Sequence, residues 1–167
     1  YDITNEIVFP LPDEPNCPCG AAVTPDGRIM ARLEAASGQG PFALHIWDLP
    51  SGADILIDAP QTTLRQAGDL LLNNNGTLAV YSVAAGVGVE AGLVQEQYAL
   101  VLGDVGARVQ RLITVPGPDR YRPIAFIDGD SALLLTHVVT GGTYKLVLAN
   151  GELQQVTEKR YLGVITP

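Results

Sequence analysis

The chain of 167 residues has little cysteine, little lysine and few aromatic residues. Two cysteines are too few for a disulfide-stabilised scaffold. Ten basic residues against eighteen acidic ones give a net charge of -8, whereas phosphate binding needs clustered lysine and arginine. No apolar run approaches the ~20 residues of a membrane-spanning helix, and the longest, 79–94, contains Glu90 and three glycines. We therefore expect no nucleic-acid partner and no direct membrane span.

Lysine is the scarcer basic residue, with only two of the ten. This bias, beside abundant alanine, glycine, leucine and valine, is typical of GC-rich coding and indicates a bacterial source. The chain begins at Tyr1, without a start methionine or an apolar signal core. We expect either a processed chain or a part of a longer one.

Glycine and proline are abundant instead, and they mark a repeat. The chain has 18 glycines and 12 prolines, which favours many turns. Asp-Gly and Asn-Gly are hairpin dipeptides, because these residues tolerate positive φ. Three such signals recur about 50 residues apart: Pro25-Asp26-Gly27, Asn74-Asn75-Gly76 and Asp128-Gly129-Asp130.

Short apolar runs surround each turn signal, one before it and three after it. Their length and their content of valine, isoleucine, leucine and tyrosine predict four strands per repeat, named A to D here, and no helix. The repeats cover about residues 21–59, 68–115 and 122–157. Residues 1–20 add a preceding D strand with its loop, and residues 158–167 start a further blade.

Burial on both faces is expected for several of these strands. Runs such as 70–72 and 133–135 are apolar at every position, and four-stranded sheets stacked around an axis bury both faces of a strand. The predicted fold is all-β: a β-propeller section of about three four-stranded antiparallel blades, plus flanking strands near Ile7 and Val164. Propellers have roughly four to eight blades. We therefore expect residues 1–167 to be part of a single propeller domain that further blades or chains complete.

The first repeat resembles a known family of repeats. The segment Thr24-Pro25-Asp26-Gly27-Arg28, an apolar strand, and then Ile46-Trp47-Asp48 with Gly52 is similar to the WD40-like repeats of TolB-type β-propellers. The later repeats keep the turn but not the Trp-Asp pair. The resemblance implies the fold and no catalytic residue. It also implies a domain that binds proteins, or one that gates a neighbouring catalytic domain as in prolyl-oligopeptidase-like enzymes. With it we expect an extracytoplasmic location, periplasmic or secreted.

The loops on one face of such a meander are the expected binding region. The A–B and C–D turns lie together and are tight, whereas the B–C and D–A connections lie on the opposite face and are long. Rigid scaffolds carry recognition on such loops. Arg120, Tyr121 and Arg122 lie in a D–A connection and are our candidate partner-binding residues, because arginine and tyrosine are enriched at interface hot spots; a solvated loop is the alternative. The long connections are 10–20, 35–41, 60–67, 84–97 and 116–123.

Cys17 and Cys19 are the most unusual local feature, and three interpretations stay open. They are two inert thiols, a local or interchain disulfide, or a redox or metal site. A disulfide between residues two apart is geometrically tight, and no third and fourth metal ligand is near in sequence. We expect the pair not to bind a metal.

No other motif predicts chemistry or a cofactor. The chain has no Gly-x-Ser-x-Gly elbow, P-loop or dinucleotide fingerprint, so we expect no catalytic residue. His45 and His137 lie in predicted strands and are expected to be hydrogen-bonded there. Asp128, Asp130 and the asparagines at 73–75 are expected to serve turns rather than calcium. The glycine-rich segment 86–92 is expected to be a flexible hairpin extension.

Three functions follow from this pattern. The leading one is a non-enzymatic β-propeller scaffold that binds a partner protein through its long D–A and B–C loops. The alternative is a gating or substrate-binding propeller attached to a catalytic domain, of the prolyl-oligopeptidase-like hydrolase kind, outside this sequence. The third is a small-ligand site at the central axis, which the A strands line.

Overall fold

The fold is all-β, as predicted. A computed structural model describes residues 20–35, 40–88 and 94–161, and within these ranges it contains twelve strands and no helix. No helix in this part of the chain therefore has the length and hydropathy to cross a membrane. The strands are β1 (Ala21–Val23), β2 (Ile29–Glu34), β3 (Ala43–Asp48), β4 (Ala53–Ile57), β5 (Gln66–Leu72), β6 (Leu78–Gly88), β7 (Val94–Asp104), β8 (Val109–Leu112), β9 (Tyr121–Ile127), β10 (Ala132–His137), β11 (Thr143–Val147) and β12 (Leu153–Thr157).

The described residues form three antiparallel four-stranded sheets, each with its strands in chain order. The sheets are β1 to β4, β5 to β8 and β9 to β12, so each repeat is one blade. The first strands of successive blades contact one another, β1 against β5 and β5 against β9, and the last strand, β12, is exposed at every residue. The A strands therefore line a common axis. The flanking strands predicted at 6–10 and 161–167 lie outside the described residues, apart from Tyr161.

The turn of the first blade shows why its residues recur. Thr24 Oγ1 donates to Asp26 Oδ1 at 2.6 Å, and the Arg28 amide donates to the same oxygen at 3.1 Å. These two hydrogen bonds hold the pKa of Asp26 below its ordinary value. Gly27 supplies the positive φ, 72°, that closes the turn. The roles of these residues are therefore those of a hairpin turn: two hydrogen bonds to Asp26 and the positive φ of Gly27.

The asparagine-rich turn of the second blade repeats this geometry with other side chains. Asn73 Oδ1 accepts the Leu78 amide hydrogen at 2.9 Å, and Asn75 Oδ1 accepts that of Thr77 at 3.2 Å. Asn73 Nδ2 also donates to Asp130 Oδ2 at 2.9 Å, which joins the turns of the second and third blades. Hydrogen bonding in turns therefore accounts for these oxygens. The described ranges contain no group of three or more His, Asp or Glu side chains that could hold a metal ion.

The middle blade is buried on both faces, as predicted for its run 70–72. In the run 133–135 of the third blade, Leu134 is only half-buried. In β6, Ala79 and Tyr81 belong to the apolar cluster shared with the first blade, whereas Val80 belongs to the cluster shared with the third. In β7, Val101 and Leu102 divide in the same way. Because successive side chains of a strand point to opposite faces, a continuous apolar run is what a blade between two others requires.

A polar contact reinforces the packing of the first blade on the second. Tyr81 is fully buried, which raises its pKa, and its hydroxyl donates to Gln110 Oε1 at 2.8 Å. Gln110 Nε2 lies 3.2, 3.0 and 2.9 Å from three acceptors in the first blade, the carbonyl oxygens of Phe42, Ile57 and Asp58. One side chain of β8 thus links the buried tyrosine to the backbone of the neighbouring sheet.

Gly103 marks a close approach between the first two blades, and it makes a sharp test of their packing. A Cβ there would lie 2.5 Å from Leu44 Cδ2, and Leu44 is wholly buried. We expect Gly103→Ala to lower the free energy of unfolding by about 1–3 kcal/mol in urea titrations, because the methyl group overpacks the interface. The matched control is Gly88→Ala, where a Cβ would meet nothing within 4 Å; equal destabilisation by the two changes would contradict this packing.

Two predicted loops are partly strand. The β6–β7 hairpin stays paired from Leu78 opposite Asp104 to Gly88 opposite Val94, so most of the connection predicted at 84–97 is ladder. Gly86 permits this pairing, because a Cβ there would lie 2.7 Å from Val94 Cγ1.

The third blade also begins earlier than predicted. Strand β9 starts at Tyr121, so Tyr121 and Arg122 are strand residues rather than part of the D–A loop, which was a wrong placement. Pro123 lies within this strand, and the register shifts opposite Leu134 and Leu135. A bulge of this kind tolerates the missing amide hydrogen of proline. The sequence pattern had placed the boundary between loop and strand at Pro123.

Candidate binding site at the face of the long connections

Asp69 is the centre of the polar residues at this face. It lies in β5 where the register shifts between Gly68 and Leu71, and its φ is 53°. A positive φ is uncommon outside glycine, and a bulge turns a side chain away from its regular direction. The carboxylate, 18% exposed, lies 3.3 Å from Arg122 Nε and 3.7 Å from Arg120 Nη2. Two of the three predicted binding residues therefore meet at one acid.

The adjacent strand of the same blade also contacts the Asp69 carboxylate. Ser82 Oγ on β6 lies 3.1 Å from Asp69 Oδ2 and 3.0 Å from the Gly68 carbonyl oxygen, and its single proton serves one of these acceptors at a time. The two arginines lie on the solvent side, with 45% of Arg120 and 68% of Arg122 exposed. Asp69 thus orients two guanidinium groups without covering them.

Arg120 has a second support in an aromatic ring. Its guanidinium carbon lies 5.7 Å from the centre of the Tyr98 ring, a distance at which a cation is attracted to an aromatic face. The Tyr98 hydroxyl donates to the Glu96 carboxylate, and that hydrogen bond raises the pKa of Tyr98. Sequence analysis missed Tyr98, since only the packing of the second blade on the third brings it beside Arg120.

Tyr121 is separated from the arginines that flank it in sequence. Its ring packs edge-on against His137 at 5.1 Å and against Tyr144 at 5.2 Å between ring centres. Burial, with a smaller effect of the Asp119 charge, raises the pKa of Tyr121. Because neighbouring residues of a strand point to opposite sides, the three residues do not form one surface. Their role in partner binding stays a prediction, with Tyr98 as the ring that packs beside Arg120.

Both strand histidines are hydrogen-bonded, as predicted. His137 Nδ1 accepts the Thr140 amide hydrogen at 3.0 Å, and its Nε2 lies 3.3 Å from Asp119 Oδ1. His45 lies between two carboxylates, with Nδ1 3.0 Å from Glu34 Oε1 and Nε2 3.0 Å from Asp54 Oδ2.

His45 belongs to a polar network on the first blade that sequence analysis did not predict. Its ring stacks on Trp47 at 3.7 Å, and the Arg32 guanidinium lies 5.0 Å from the Trp47 ring centre. Arg32 Nη2 also lies 2.6 Å from Glu34 Oε1. Burial raises the pKa of Glu34, but the hydrogen bonds from Arg32 and His45 outweigh it and hold the pKa below its ordinary value. The alternation of β2 and β3 places this network on the face opposite the second blade.

A pocket of about 530 Å³ opens between the A strands of the second and third blades. Asp69, Leu70 and Leu71 of β5 form one side and Arg122, Pro123 and Ile124 of β9 the other. Further lining residues come from the end of the third blade: Thr136, Val138, Arg160 and Tyr161. A smaller cavity of about 220 Å³ lies at the A–B turn end of the same strands. The A strands thus line cavities along the axis, and the small-ligand site of the third hypothesis stays a prediction.

The cysteine pair lies outside the described residues. The expectation that Cys17 and Cys19 do not bind a metal, and the alternatives of free thiols or a disulfide, therefore stay predictions. A mass measurement before and after reduction and alkylation of the native protein distinguishes the free and the oxidised forms.

Comparison with known proteins supports the fold. No protein-family model matches the chain, and a search of curated proteins finds no match. Among solved structures, an oligogalacturonate lyase in complex with manganese matches with a TM-score of 0.59 and 14% identity, over 83% of this chain and 39% of the lyase. Dipeptidyl peptidase 4 of Porphyromonas gingivalis matches with a TM-score of 0.54 and 12% identity, over 81% of this chain and 25% of its own.

A third match is an acylaminoacyl peptidase of Pyrococcus horikoshii, with a TM-score of 0.55 and 10% identity over 84% of this chain and 25% of its own. The chain spans well under half the length of each of these proteins. At these identities the likeness concerns the fold alone. Three four-stranded antiparallel sheets around a common axis, together with these neighbours, show that the chain has a β-propeller fold.

Proposed function

We propose that this chain is a non-enzymatic, partner-binding part of a β-propeller, and that it binds an acidic segment of a protein at the face of the D–A and B–C connections. One observation carries the proposal: Arg120 and Arg122 converge on the single carboxylate of Asp69 and remain 45% and 68% exposed. The resemblance of the first repeat to TolB-type β-propellers, a family whose domains bind proteins, supports this role. Further blades or chains that complete the propeller are the other partners we propose.

Charge explains why the partner would be acidic. Two guanidinium groups face the one carboxylate of Asp69, so this cluster has an excess of one positive charge on a chain whose net charge is -8. The nearby carboxylates of Glu96 and Asp119 have other partners, Tyr98 and His137. Arginine presents a planar set of donors that fits a carboxylate, and Asp69 and Tyr98 already restrict the motion of these side chains. Less side-chain entropy is then lost on binding. A locally positive site on an acidic protein also steers acidic partners to that site.

The test uses a fluorescent peptide of alternating glutamate and serine, about ten residues long, with a glutamine-for-glutamate version as the uncharged probe. We expect the glutamate peptide to bind and the glutamine peptide not to bind. The glutamate peptide should bind about tenfold more weakly to the Arg120→Ala, Arg122→Ala double variant. Binding should also weaken as salt rises, because the contacts are exposed. Fluorescence anisotropy measures both effects.

Arg28→Ala is the matched control. Arg28 is also exposed, but it lies in an A–B turn at the opposite end of the blades. Equal losses in Arg28→Ala and in the double variant would show attraction to the protein in general and would overturn the proposed site. Equal binding of the acidic and uncharged peptides would do the same.

A second candidate function is a gating or substrate-binding propeller joined to a catalytic domain outside this sequence. Its support is the fold likeness to two peptidases, of which this chain matches 25%. The complete gene tests it directly: a Gly-x-Ser-x-Gly motif on a strand–turn–helix segment would favour it. Labelling of the native full-length protein by a fluorophosphonate, a reagent for activated serines, is the matching experiment, and absence of both would refute a serine hydrolase.

A further inference from the structure

We infer that the pocket between β5 and β9 binds a single carboxylate at the end of a short apolar chain. This goes beyond the proposed function, since it concerns the axis pocket, which shares Asp69 and Arg122 with the site for the acidic segment but adds Thr136 and Arg160. Its volume of about 530 Å³ lies in the range of small-molecule sites, roughly 300–1,000 Å³. Both the polar groups and the walls of the pocket indicate the ligand.

The charged groups of the pocket leave one positive charge unmatched. Asp69 is the one acidic residue among its described lining residues, and it is paired with Arg122. Arg160, the second arginine, makes no ion pair with a described residue. Its guanidinium lies beside Gly141, where a Cβ would be 3.7 Å from Nε. A monoanion therefore balances the pocket. A phosphate dianion would exceed this balance by one negative charge.

Thr136 supplies an independent sign of a ligand. It lines the pocket and is only 8% exposed, yet its hydroxyl has no hydrogen-bond partner among the described residues. Its cross-strand neighbour Thr143, also buried, donates to the Lys159 carbonyl oxygen at 2.7 Å. The Thr136 oxygen is not one of the enclosed atoms without a partner, so it stays open to the pocket that its side chain lines. The Thr136 hydroxyl is therefore placed to donate to a ligand oxygen beside the two guanidinium groups.

Apart from Tyr161, the remaining walls are apolar and select what carries the carboxylate. Leu70 and Leu71 on one side and Pro123, Ile124 and Val138 on the other offer no hydrogen-bonding side chain. A ligand with an acid at one end and a hydrocarbon body would satisfy both parts of the pocket. Two sources share this chemistry: the C-terminus of a peptide that ends in leucine, and a free carboxylic acid of similar size.

The experiment measures binding of a fluorescent peptide that ends in Leu-Leu, with either a free carboxylate or an amide at its C-terminus. We expect the acid to bind the 167-residue chain at least about tenfold more tightly than the amide. Arg160→Gln should reduce the preference for the acid over the amide about tenfold, since it deletes one charge-assisted hydrogen bond. Lys159→Gln, which changes the neighbouring exposed cation, is the matched control and should have no effect.

Thr136→Val tests the hydroxyl without changing the shape of the side chain. We expect this variant to bind the acid several-fold more weakly, and Thr136→Ser, which keeps a hydroxyl, to bind it nearly as well as the parent chain. Thermal melting of both variants identifies any loss that comes from unfolding. Equal binding by the valine and serine variants would remove Thr136 from the site.

Competition separates the two sources from each other and from an anion site of another kind. Displacement of the peptide acid by hexanoate assigns a free carboxylic acid, and displacement only by unlabelled peptide acid assigns a C-terminus; both outcomes support a carboxylate pocket. Displacement by inorganic phosphate but not by carboxylates would overturn the inference, as would equal binding of acid and amide peptides. In either of those cases a loss of acidic-peptide binding in Arg120→Ala would leave the proposed function intact.

Discussion

Replacing Tyr81 with alanine is expected to lower the free energy of unfolding by about 3–5 kcal/mol, the range for a large buried aromatic side chain. Tyr81 is the largest fully buried side chain described, and it lies in the apolar cluster between the first and second blades. Its removal leaves a cavity there. It also leaves Gln110 Oε1 without its 2.8 Å donor. Urea titration followed by circular dichroism measures the change.

Tyr81→Phe separates the ring from the hydroxyl. The phenylalanine fills the same volume, so only the hydrogen bond to Gln110 is lost, and we expect a cost of about 1–3 kcal/mol. The difference between the two variants is then the contribution of the buried ring. If Tyr81→Ala lowered the free energy of unfolding no more than Tyr81→Phe, the first two blades would not be packed through Tyr81.

Leu133→Ala is expected to lower the free energy of unfolding by about 2–5 kcal/mol. It tests the packing of the third blade on the second. Leu133 is wholly buried on β10, directly opposite Phe126 and Leu146 of the adjacent strands. It belongs to the cluster that includes Val80 and Leu100 of the middle blade. Truncation therefore leaves a cavity between two rigid sheets, and close-packed interiors relax only partly around such a cavity.

Leu153→Ala is the matched control for this change. Leu153 lies opposite Leu146 on the outer strand β12 and is 38% exposed. The same atoms are deleted at the edge of the same blade, where neighbouring side chains and water can close the gap. We expect a loss of less than about 1 kcal/mol. Equal losses for the two leucines, in the same urea titration, would contradict stacking of the third blade on the second.

Local chemistry was sufficient to predict the strands and turns. Hydrogen bonds between near neighbours close the first hairpin turn, as the pair Thr24 and Asp26 shows, and such bonds need no distant residue. Burial of the run 70–72 on both faces was also readable, because all three of its residues are apolar. The prediction failed where a bulge intervenes: Pro123 marked the end of a loop by sequence, yet it lies inside β9.

The candidate site depended on contacts between blades, which no local pattern encodes. Arg120 and Arg122 were chosen for their residue types, but their shared partner, Asp69, is about 50 residues away in sequence and is turned toward them by a bulge of another blade. Tyr98 reaches Arg120 by the same stacking, and the axis pocket forms only where β5 meets β9. Hairpins close through interactions of neighbouring residues and can therefore be read from the chain. The positions of side chains from different blades follow from how twisted sheets pack, and this packing depends on all their buried side chains together.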